Sequence, residues 1–169
     1  MPDATVETLF GAAIVIPDAI DREVLAAARE QLTGWRRYAL LDRGSYDVID
    51  DVRDSVLACA IVELARRVTG RMPATVEARA LRLRAGDYLL AHHDRLYEDN
   101  PVEVIVDLSP APVAAEVHYR RRGQTFLRVP CVPGTASVVE RGPSINCNHT
   151  YVSLRDPDAC VLRVVALLK

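Results

Sequence analysis

The sequence lacks several features that would place it in a special class of protein. Its 169 residues contain no apolar run long enough to span a bilayer, and the N-terminal Met1-Pro2-Asp3 is not the basic start of a secretory signal. The net charge of −2 predicts no general attraction to nucleic acid or to anionic membranes. We therefore expect a cytoplasmic protein that binds neither nucleic acid nor membrane. These features leave its oligomeric state open.

Cysteine is also sparse and irregularly placed. The four cysteines form no C-x-x-C pair and follow no regular spacing: Cys59, Cys131, Cys147 and Cys160. A disulfide framework or a zinc site would need paired or regularly spaced cysteines. We therefore expect reduced and mostly buried thiols, as is usual for cytoplasmic proteins.

Two helices are predicted in the first part of the chain, residues 1–75, which we interpret as a helical support region. Apolar residues recur at helical spacing over 21–35, where Asp18 or Asp21 could act as the N-cap. The same pattern is clearer over 55–69, and Gly70 follows at the position typical of a helix stop. A short strand at Ala12–Ile16 is expected before the first helix.

The second part, residues 76–169, has no helical period. Short apolar or alternating segments separated by turn residues predict strands at 77–84, 87–92, 102–108, 113–120, 124–131, 135–140, 146–152 and 159–168. Many short, evenly spaced strands are typical of a jelly-roll barrel or a sandwich. No repeat or linker divides the chain, so we predict a single α+β domain over 1–169, with helices that brace a β-barrel core.

A candidate metal site lies where the predicted barrel begins, in the segment Gly86-Asp87-Tyr88-Leu89-Leu90-Ala91-His92-His93-Asp94. His92 and Asp94 are two residues apart, so on a strand they point to the same face, whereas His93 points away. His149, in a late predicted strand, is a third potential ligand. Two imidazoles and one carboxylate form the facial triad that binds non-haem iron(II). A polar strand end with a hydrogen-bonded His92–Asp94 pair is the structural alternative.

Arg163 is the only charged residue in the last predicted strand, 159–168. Alternation places it on one face with aliphatic residues, where an unpaired guanidinium would be costly to bury. It could pair with a carboxylate of the protein. It could instead bind a dianionic cosubstrate through its two-pronged donor face. Arg155, in the preceding turn, is a competitor for that role.

The segment Leu81 to Asp94 resembles the first barrel strands of iron(II)- and 2-oxoglutarate-dependent dioxygenases, in particular the prolyl-hydroxylase-like branch. The resemblance continues in order along the chain. Ala114-Ala115-Glu116-Val117-His118-Tyr119 is similar to the family's G-G-E-L-x-F, and Pro133-Gly134-Thr135-Ala136-Ser137-Val138 to its P-G-x-A-x-x-F. His149 with Val152, spaced one residue more closely, is similar to its distal H-x-x-x-V. It implies a double-stranded β-helix, a jelly-roll core.

The resemblance also implies roles for individual residues. His92, Asp94 and His149 would bind Fe(II), and Arg163 would bind the distal carboxylate of the cosubstrate 2-oxoglutarate. Leu83 stands where relatives often have a cosubstrate-binding tyrosine, so Tyr88 or Tyr119 would take that place. The implied activity is hydroxylation of an unactivated C–H in a small molecule or a peptidyl residue. It is coupled to decarboxylation of 2-oxoglutarate to succinate and CO2.

Two other classes of function are compatible with the same predicted barrel. A cupin-like metal-dependent enzyme is one, although such enzymes normally carry an H-x-H pair that this chain lacks. A catalytically inactive binding module is the other. His118, in a mid-barrel strand, is interpreted as a structural histidine rather than a ligand. The polar loop 95–101 is expected to border the entrance of the site or to be a plain surface turn.

Overall fold

The computed structural model describes residues 6–8, 11–73, 76–92, 102–142 and 144–169. Within these residues the chain forms two helices and twelve strands. In chain order they are β1 Val6–Thr8, β2 Gly11–Ile16, α1 Arg22–Gln31, β3 Arg36–Leu40, β4 Gly44–Ile49, α2 Ser55–Thr69, β5 Val76–Arg84, β6 Tyr88–His92, β7 Val102–Asp107, β8 Val113–Arg121, β9 Gln124–Cys131, β10 Ala136–Glu140, β11 Ile145–His149 and β12 Cys160–Leu168.

Eight strands, β5 to β12, form the barrel as two facing antiparallel layers. One layer has the strand order β10-β7-β12-β5, with β2 and β1 added beyond β10. The other has the order β6-β11-β8-β9, and β4 pairs with both β5 and β6 and so joins the two layers. This is the jelly-roll arrangement of a double-stranded β-helix, and the predicted fold class is confirmed.

The two faces of the β7 and β12 layer bury different cores. Alternation turns Ile105, Val161 and Val165 into the barrel, where they pack with apolar residues of the facing layer. The opposite face, which includes Val104 and Val164, packs against the two helices. The strands are therefore buried on both sides, which explains why their sequences read as continuous apolar runs.

The helices follow the predicted pattern, with one difference in length. Asp54 caps α2 by accepting a hydrogen bond from the Leu57 amide at 2.8 Å, and Gly70 ends the helix with a φ of 69°. The first helix ends at Gln31, so Trp35 lies beyond the helix. The ring centroid of Trp35 is 4.4 Å from the guanidinium carbon of Arg82. No helix in the described ranges is long and apolar enough to cross a membrane.

The first part of the chain is not only helical, and the prediction of a helical support region over 1–75 is incomplete. Besides the expected β2, it contains β1 and the hairpin of β3 and β4. The hairpin has a charged outer face, so the alternation of apolar residues that marks a strand is weak there. It is stabilised by stacking of Tyr38 on Tyr46, whose ring centroids are 4.9 Å apart.

Candidate functional site

The H-x-D segment begins at the end of β6. His92 is the last residue of that strand, and its backbone pairs with Cys147 of β11. His93, Asp94 and the loop 95–101 lie outside the described residues, as does the side chain of His92. Among the side chains that are described, no three His, Cys, Asp or Glu groups are arranged to hold a metal ion.

His149 lies on the strand next to the end of β6. It is the last residue of β11, and its backbone pairs with Leu89 of β6 and Val117 of β8. The residue paired with His92 is Cys147, two residues before His149. The register of the two strands shifts between Cys147 and His149. Its side chain is buried, with 3% of its surface exposed. The structure thus brings the His92 backbone and the His149 imidazole to neighbouring strands.

Arg163 lies at the centre of its layer, where β12 is flanked by Leu81 of β5 and Asp107 of β7. It is 1% exposed. Its Nη1 is 3.1 Å from Nδ1 of His149, and its Nε is 3.5 Å from Oδ2 of Asp107. A guanidinium has only donors, so the imidazole nitrogen accepts this hydrogen bond. The structure therefore brings together two of the predicted site residues, His149 and Arg163, and adds Asp107.

Two atoms of this group are buried without a hydrogen-bond partner in the part of the chain that the structure describes: Nη2 of Arg163 and Oδ2 of Asp107. The other carboxylate oxygen of Asp107 accepts from the Ser109 amide at 2.9 Å. Because buried donors are nearly always satisfied in native proteins, the orphaned Nη2 is a place where a further acceptor would be stabilised. Arg155, the competitor, lies in an exposed turn.

A second buried polar cluster, absent from the sequence prediction, lies inside the barrel. The Tyr119 hydroxyl donates to Glu103 Oε1 at 2.7 Å, and Arg141 Nη1 donates to Glu103 Oε2 at 2.8 Å. Arg141 Nη2 also donates to the Ile145 carbonyl at 3.1 Å. Burial raises the pKa of Tyr119 well above its usual range, and the charge of Glu103 adds to that rise. The signal in the sequence was Glu103 itself, an acid between two valines on the barrel face of β7.

The two tyrosines predicted near the cosubstrate lie in different places. Tyr119 is fully buried in the barrel, but its single hydroxyl hydrogen is donated to Glu103, so it cannot also donate to another carboxylate. Tyr88 lies on the face of β6 opposite to Leu89, and its hydroxyl donates to the Leu41 carbonyl at 3.1 Å. The structure therefore does not bring Tyr88 to His149 and Arg163.

The remaining predictions concern residues with structural roles. His118 is on the outer face of β8, where its Nε2 is 2.6 Å from Glu116 Oε2. Its imidazole therefore points away from the barrel interior that contains His149. All four cysteines are free, Cys131 and Cys147 are buried, and Cys59 is exposed. Burial raises the pKa of Cys131 to about 11 and that of Cys147 to about 12.

An inner cavity of about 30 Å³ lies beside these groups. Its lining includes His149, Cys147 and Glu103 from the strands just described, together with Arg79 of β5 and Val165 of β12. A cavity of this size holds one or two water molecules. A dicarboxylate at this position would therefore have to displace side chains that now fill the barrel.

Comparisons with known proteins give matches in structure but not in sequence. No family model matches the sequence, and no curated protein matches it. A prolyl-4-hydroxylase of Pseudomonas putida is 12% identical, with 95% of this chain and 93% of that chain aligned and a TM-score of 0.70. A prolyl hydroxylase of Trichoplax adhaerens, in complex with a peptide fragment of hypoxia inducible factor, is 11% identical over 95% and 84% of the chains, with a TM-score of 0.71.

HygX of Streptomyces hygroscopicus, with nickel, 2-oxoglutarate and hygromycin B bound, is 13% identical over 94% of this chain and 83% of that chain, with a TM-score of 0.65. Identities this low establish the fold alone. The chain has the double-stranded β-helix fold of the 2-oxoglutarate- and iron(II)-dependent oxygenases.

Proposed function

We propose that the protein is a non-haem iron(II) dioxygenase that hydroxylates an unactivated C–H bond of a small molecule or a peptidyl residue. One observation carries this proposal: within a barrel of this fold, the side chains of His149 and Arg163 are buried in contact with each other, and His149 lies on β11, the strand next to β6, which ends at His92. The histidine is one of the three residues that would bind the iron, and the arginine is the residue that would bind the cosubstrate.

The donor set fits the metal and the cosubstrate. His92, Asp94 and His149 would hold the iron, since two imidazoles and one carboxylate leave open coordination positions. Arg163 would hold the distal carboxylate of 2-oxoglutarate, because its Nη2 is a buried donor with no hydrogen-bond partner in the described ranges. When bound, the iron and 2-oxoglutarate supply the oxidation of the substrate, with succinate and CO2 as coproducts.

The residues of the chain orient and shield this site. Asp107 holds the Arg163 guanidinium in place, and the strand pairing of β12 with β5 and β7 fixes its depth in the barrel. Apolar side chains such as Leu81, Leu89 and Val165 surround the inner cavity and exclude bulk water. The buried hydrogen bonds of Glu103 with Tyr119 and Arg141 connect β7 to β8 inside the barrel.

A binding module without metal is the second candidate, and one contact favours it. Asp107 already gives Arg163 a carboxylate partner within the protein, at 3.5 Å. In that case the buried Arg163 would stabilise the barrel core through its ion pair and would bind no ligand. The two candidates differ in one property, which is whether the protein binds iron(II) and 2-oxoglutarate.

Iron-dependent conversion of 2-oxoglutarate to succinate tests the proposal. We expect succinate to form under air with iron(II), at a low rate when no substrate is added. His149→Ala should abolish this conversion, whereas His118→Ala, on the outer face of the barrel, should retain it. Equal conversion in the unsubstituted protein and in His149→Ala would contradict the role of His149. No conversion and no iron binding in the unsubstituted protein would favour the binding module.

A further inference from the structure

Two adjoining cavities form a groove between α1 and the loops that follow β7 and β9. The first cavity has a volume of about 450 Å³ and the second a volume of about 420 Å³. Pro112 and Val132 line both cavities, and Pro110, Pro130 and Pro133 each line one of them. We call the two cavities together the proline groove. Each of them lies in the size range of cavities that bind ligands.

The proline groove lies at the end of the barrel opposite to the H-x-D segment. The start of β12 pairs with Arg84 and Asp107, which are the last residues of β5 and β7. The turn after Arg84 leads into β6, so β6 begins at this end of the barrel and reaches His92 at the other. The loop after β7, with Pro110 and Pro112, belongs to the end where β6 begins. A ligand in the groove would therefore not cover the end at which the H-x-D segment begins.

The charges of the first cavity favour an acidic ligand. Arg22 and Arg29 both line it and are two turns apart on the same side of α1, about 10 Å along the helix axis. Neither side chain forms a hydrogen bond or an ion pair with the described residues, and Nε of Arg29 is buried without a partner among them. Asp18 is the one acidic residue of this lining. Two guanidinium groups against one carboxylate leave the cavity positively charged, and arginine binds carboxylates through its forked donors.

The surface around these charges is apolar and rigid. Ile20 and Leu25 are buried at the base of the first cavity, whereas Pro110 and Pro112 are exposed at its rim. A proline ring fixes φ and has no backbone N–H, so it presents an apolar surface of fixed shape. A ligand that binds a preformed surface loses less affinity to the ordering of the protein.

The second cavity extends the groove along β8 and β9, the strand at the edge of its layer. The register of these strands shifts between Val113 and Glu116, so Ala114 and Ala115 are not paired with residues of β9. Their small side chains leave space for the cavity. Glu116, which also lines it, is already 2.6 Å from Nε2 of His118 and so opposes an acidic ligand less.

We propose that the proline groove binds an extended acidic segment of a partner protein. Its carboxylates would pair with Arg22 and Arg29, and its apolar side chains would pack against the proline rings. Two adjoining cavities suit an extended chain, whereas a small anion would occupy only the first. This inference goes beyond the proposed function and does not depend on it, because neither His149 nor Arg163 lines the groove.

Selection from a displayed library of random peptides on the full chain tests the inference. We expect the enriched peptides to carry more than one Asp or Glu together with apolar residues. The tightest peptide, synthesised and measured by fluorescence anisotropy, should bind the Arg22→Gln/Arg29→Gln variant about tenfold or more weakly. Arg53→Gln/Arg66→Gln removes the same charge from exposed side chains outside the groove and should leave the affinity unchanged.

Two further variants test the apolar surface and the sign of the charge. Val132→Ser, between the two cavities, should weaken the peptide about fivefold or more, whereas Leu41→Ser, at an exposed leucine outside the groove, should not. Arg22→Glu/Arg29→Glu should bind a peptide in which lysines replace the acidic residues more tightly than it binds the original. Recovery of this kind shows that the variant is folded.

Four results would overturn the inference. They are the absence of enriched peptides, enriched peptides without acidic residues, unchanged binding in Arg22→Gln/Arg29→Gln, and an equal loss in the Arg53→Gln/Arg66→Gln control. If citrate bound the groove as tightly as the peptide, the ligand would be a small anion and the proposal would be wrong. Iron(II) binding, measured on the same protein, tests the proposed function separately from all of these results.

Discussion

Arg163 Nη1 donates a hydrogen bond to Nδ1 of His149 across 3.1 Å, within the buried interior of the barrel. Since Nδ1 accepts, a neutral His149 carries its hydrogen on Nε2. A histidine that binds a metal through Nε2 carries its hydrogen on Nδ1 instead. That hydrogen would point at the N–H of Arg163, and the two donors would repel each other. The contact therefore links the position of Arg163 to the ability of His149 to act as a metal ligand.

A carboxylate that attracts Arg163 away from His149 should therefore strengthen metal binding. Glutarate has the two carboxylates of 2-oxoglutarate but no 2-oxo group, so it can engage Arg163 without chelating the metal. We expect glutarate to tighten Mn(II) binding by about fivefold or more, the usual scale of coupling between two sites. Competition with a chelating dye measures this. The Arg163→Leu/Asp107→Asn variant should show no effect of glutarate, and an equal effect in both proteins would contradict the link.

Substitutions of Arg163 should change cosubstrate affinity in a graded way. Arg163→Lys keeps the charge but loses the forked geometry, so it should weaken 2-oxoglutarate more than metal. Arg163→Leu should cost about 2–5 kcal/mol of 2-oxoglutarate binding. Arg155→Leu, in the exposed turn, should do little. Calorimetric titration at saturating Mn(II) distinguishes these variants, and unchanged binding in all three would remove the cosubstrate role from both arginines.

Stability provides a control for that series. Arg163→Leu leaves Asp107 as a buried carboxylate without its ion-pair partner, which should cost about 3–5 kcal/mol in the free energy of unfolding. Asp107→Asn should recover most of this loss in the double variant, since the amide oxygen can still accept from Ser109.

The buried cluster of Glu103, Tyr119 and Arg141 should stabilise the fold rather than take part in the reaction. Tyr119→Phe removes a hydrogen bond to a charged acceptor and should lower the free energy of unfolding by about 1.5–3 kcal/mol. Glu103→Gln removes the negative charge that is paired with the buried Arg141 cation and should cost about 3–5 kcal/mol. Urea unfolding measures both. Glu63→Gln, in an exposed pair on α2, is the control, and losses no larger than this control would contradict the cluster's role.

The buried thiols predict that the protein becomes less stable in alkali. Burial raises the pKa of Cys131 to about 11 and of Cys147 to about 12, above the ordinary thiol value near 9. Above that value the unfolded chain loses thiol protons that the native chain keeps. The free energy of unfolding should therefore fall by about 1.4 kcal/mol per pH unit for each thiol. Urea unfolding from pH 8 to 10.5 measures the slope, which Cys147→Ala should reduce. An unchanged slope in that variant would be inconsistent with its burial.

Much of the fold could be predicted because the sequence marks its elements locally. Turn residues separate the eight barrel strands, and Gly70 ends the second helix as expected. The β3 and β4 hairpin was missed because Arg36 and Arg37 interrupt the alternation of apolar residues. Its position is determined by pairing with β5 and β6, which a local pattern does not reveal.

The site was predictable only where a residue stood out within its own strand. Arg163 did, as a lone charge among aliphatic residues, and it is buried as expected. Asp107 did not, and although His149 was predicted as a metal ligand, its contact with Arg163 was not, because these residues meet through strand pairing and through the barrel interior. Glu103 and Arg141 are 38 residues apart and meet only when the barrel closes. The assignments of His92 and Asp94 remain predictions.

Anaerobic titration with iron(II) and then 2-oxoglutarate tests the central claim most directly. If His149 and Arg163 belong to an iron and 2-oxoglutarate site, the second addition should produce a visible metal-to-ligand charge-transfer band that saturates with 2-oxoglutarate. The band should be lost in His149→Ala and retained in His118→Ala. No band in the unsubstituted protein, or an equal band in His149→Ala, would contradict the account.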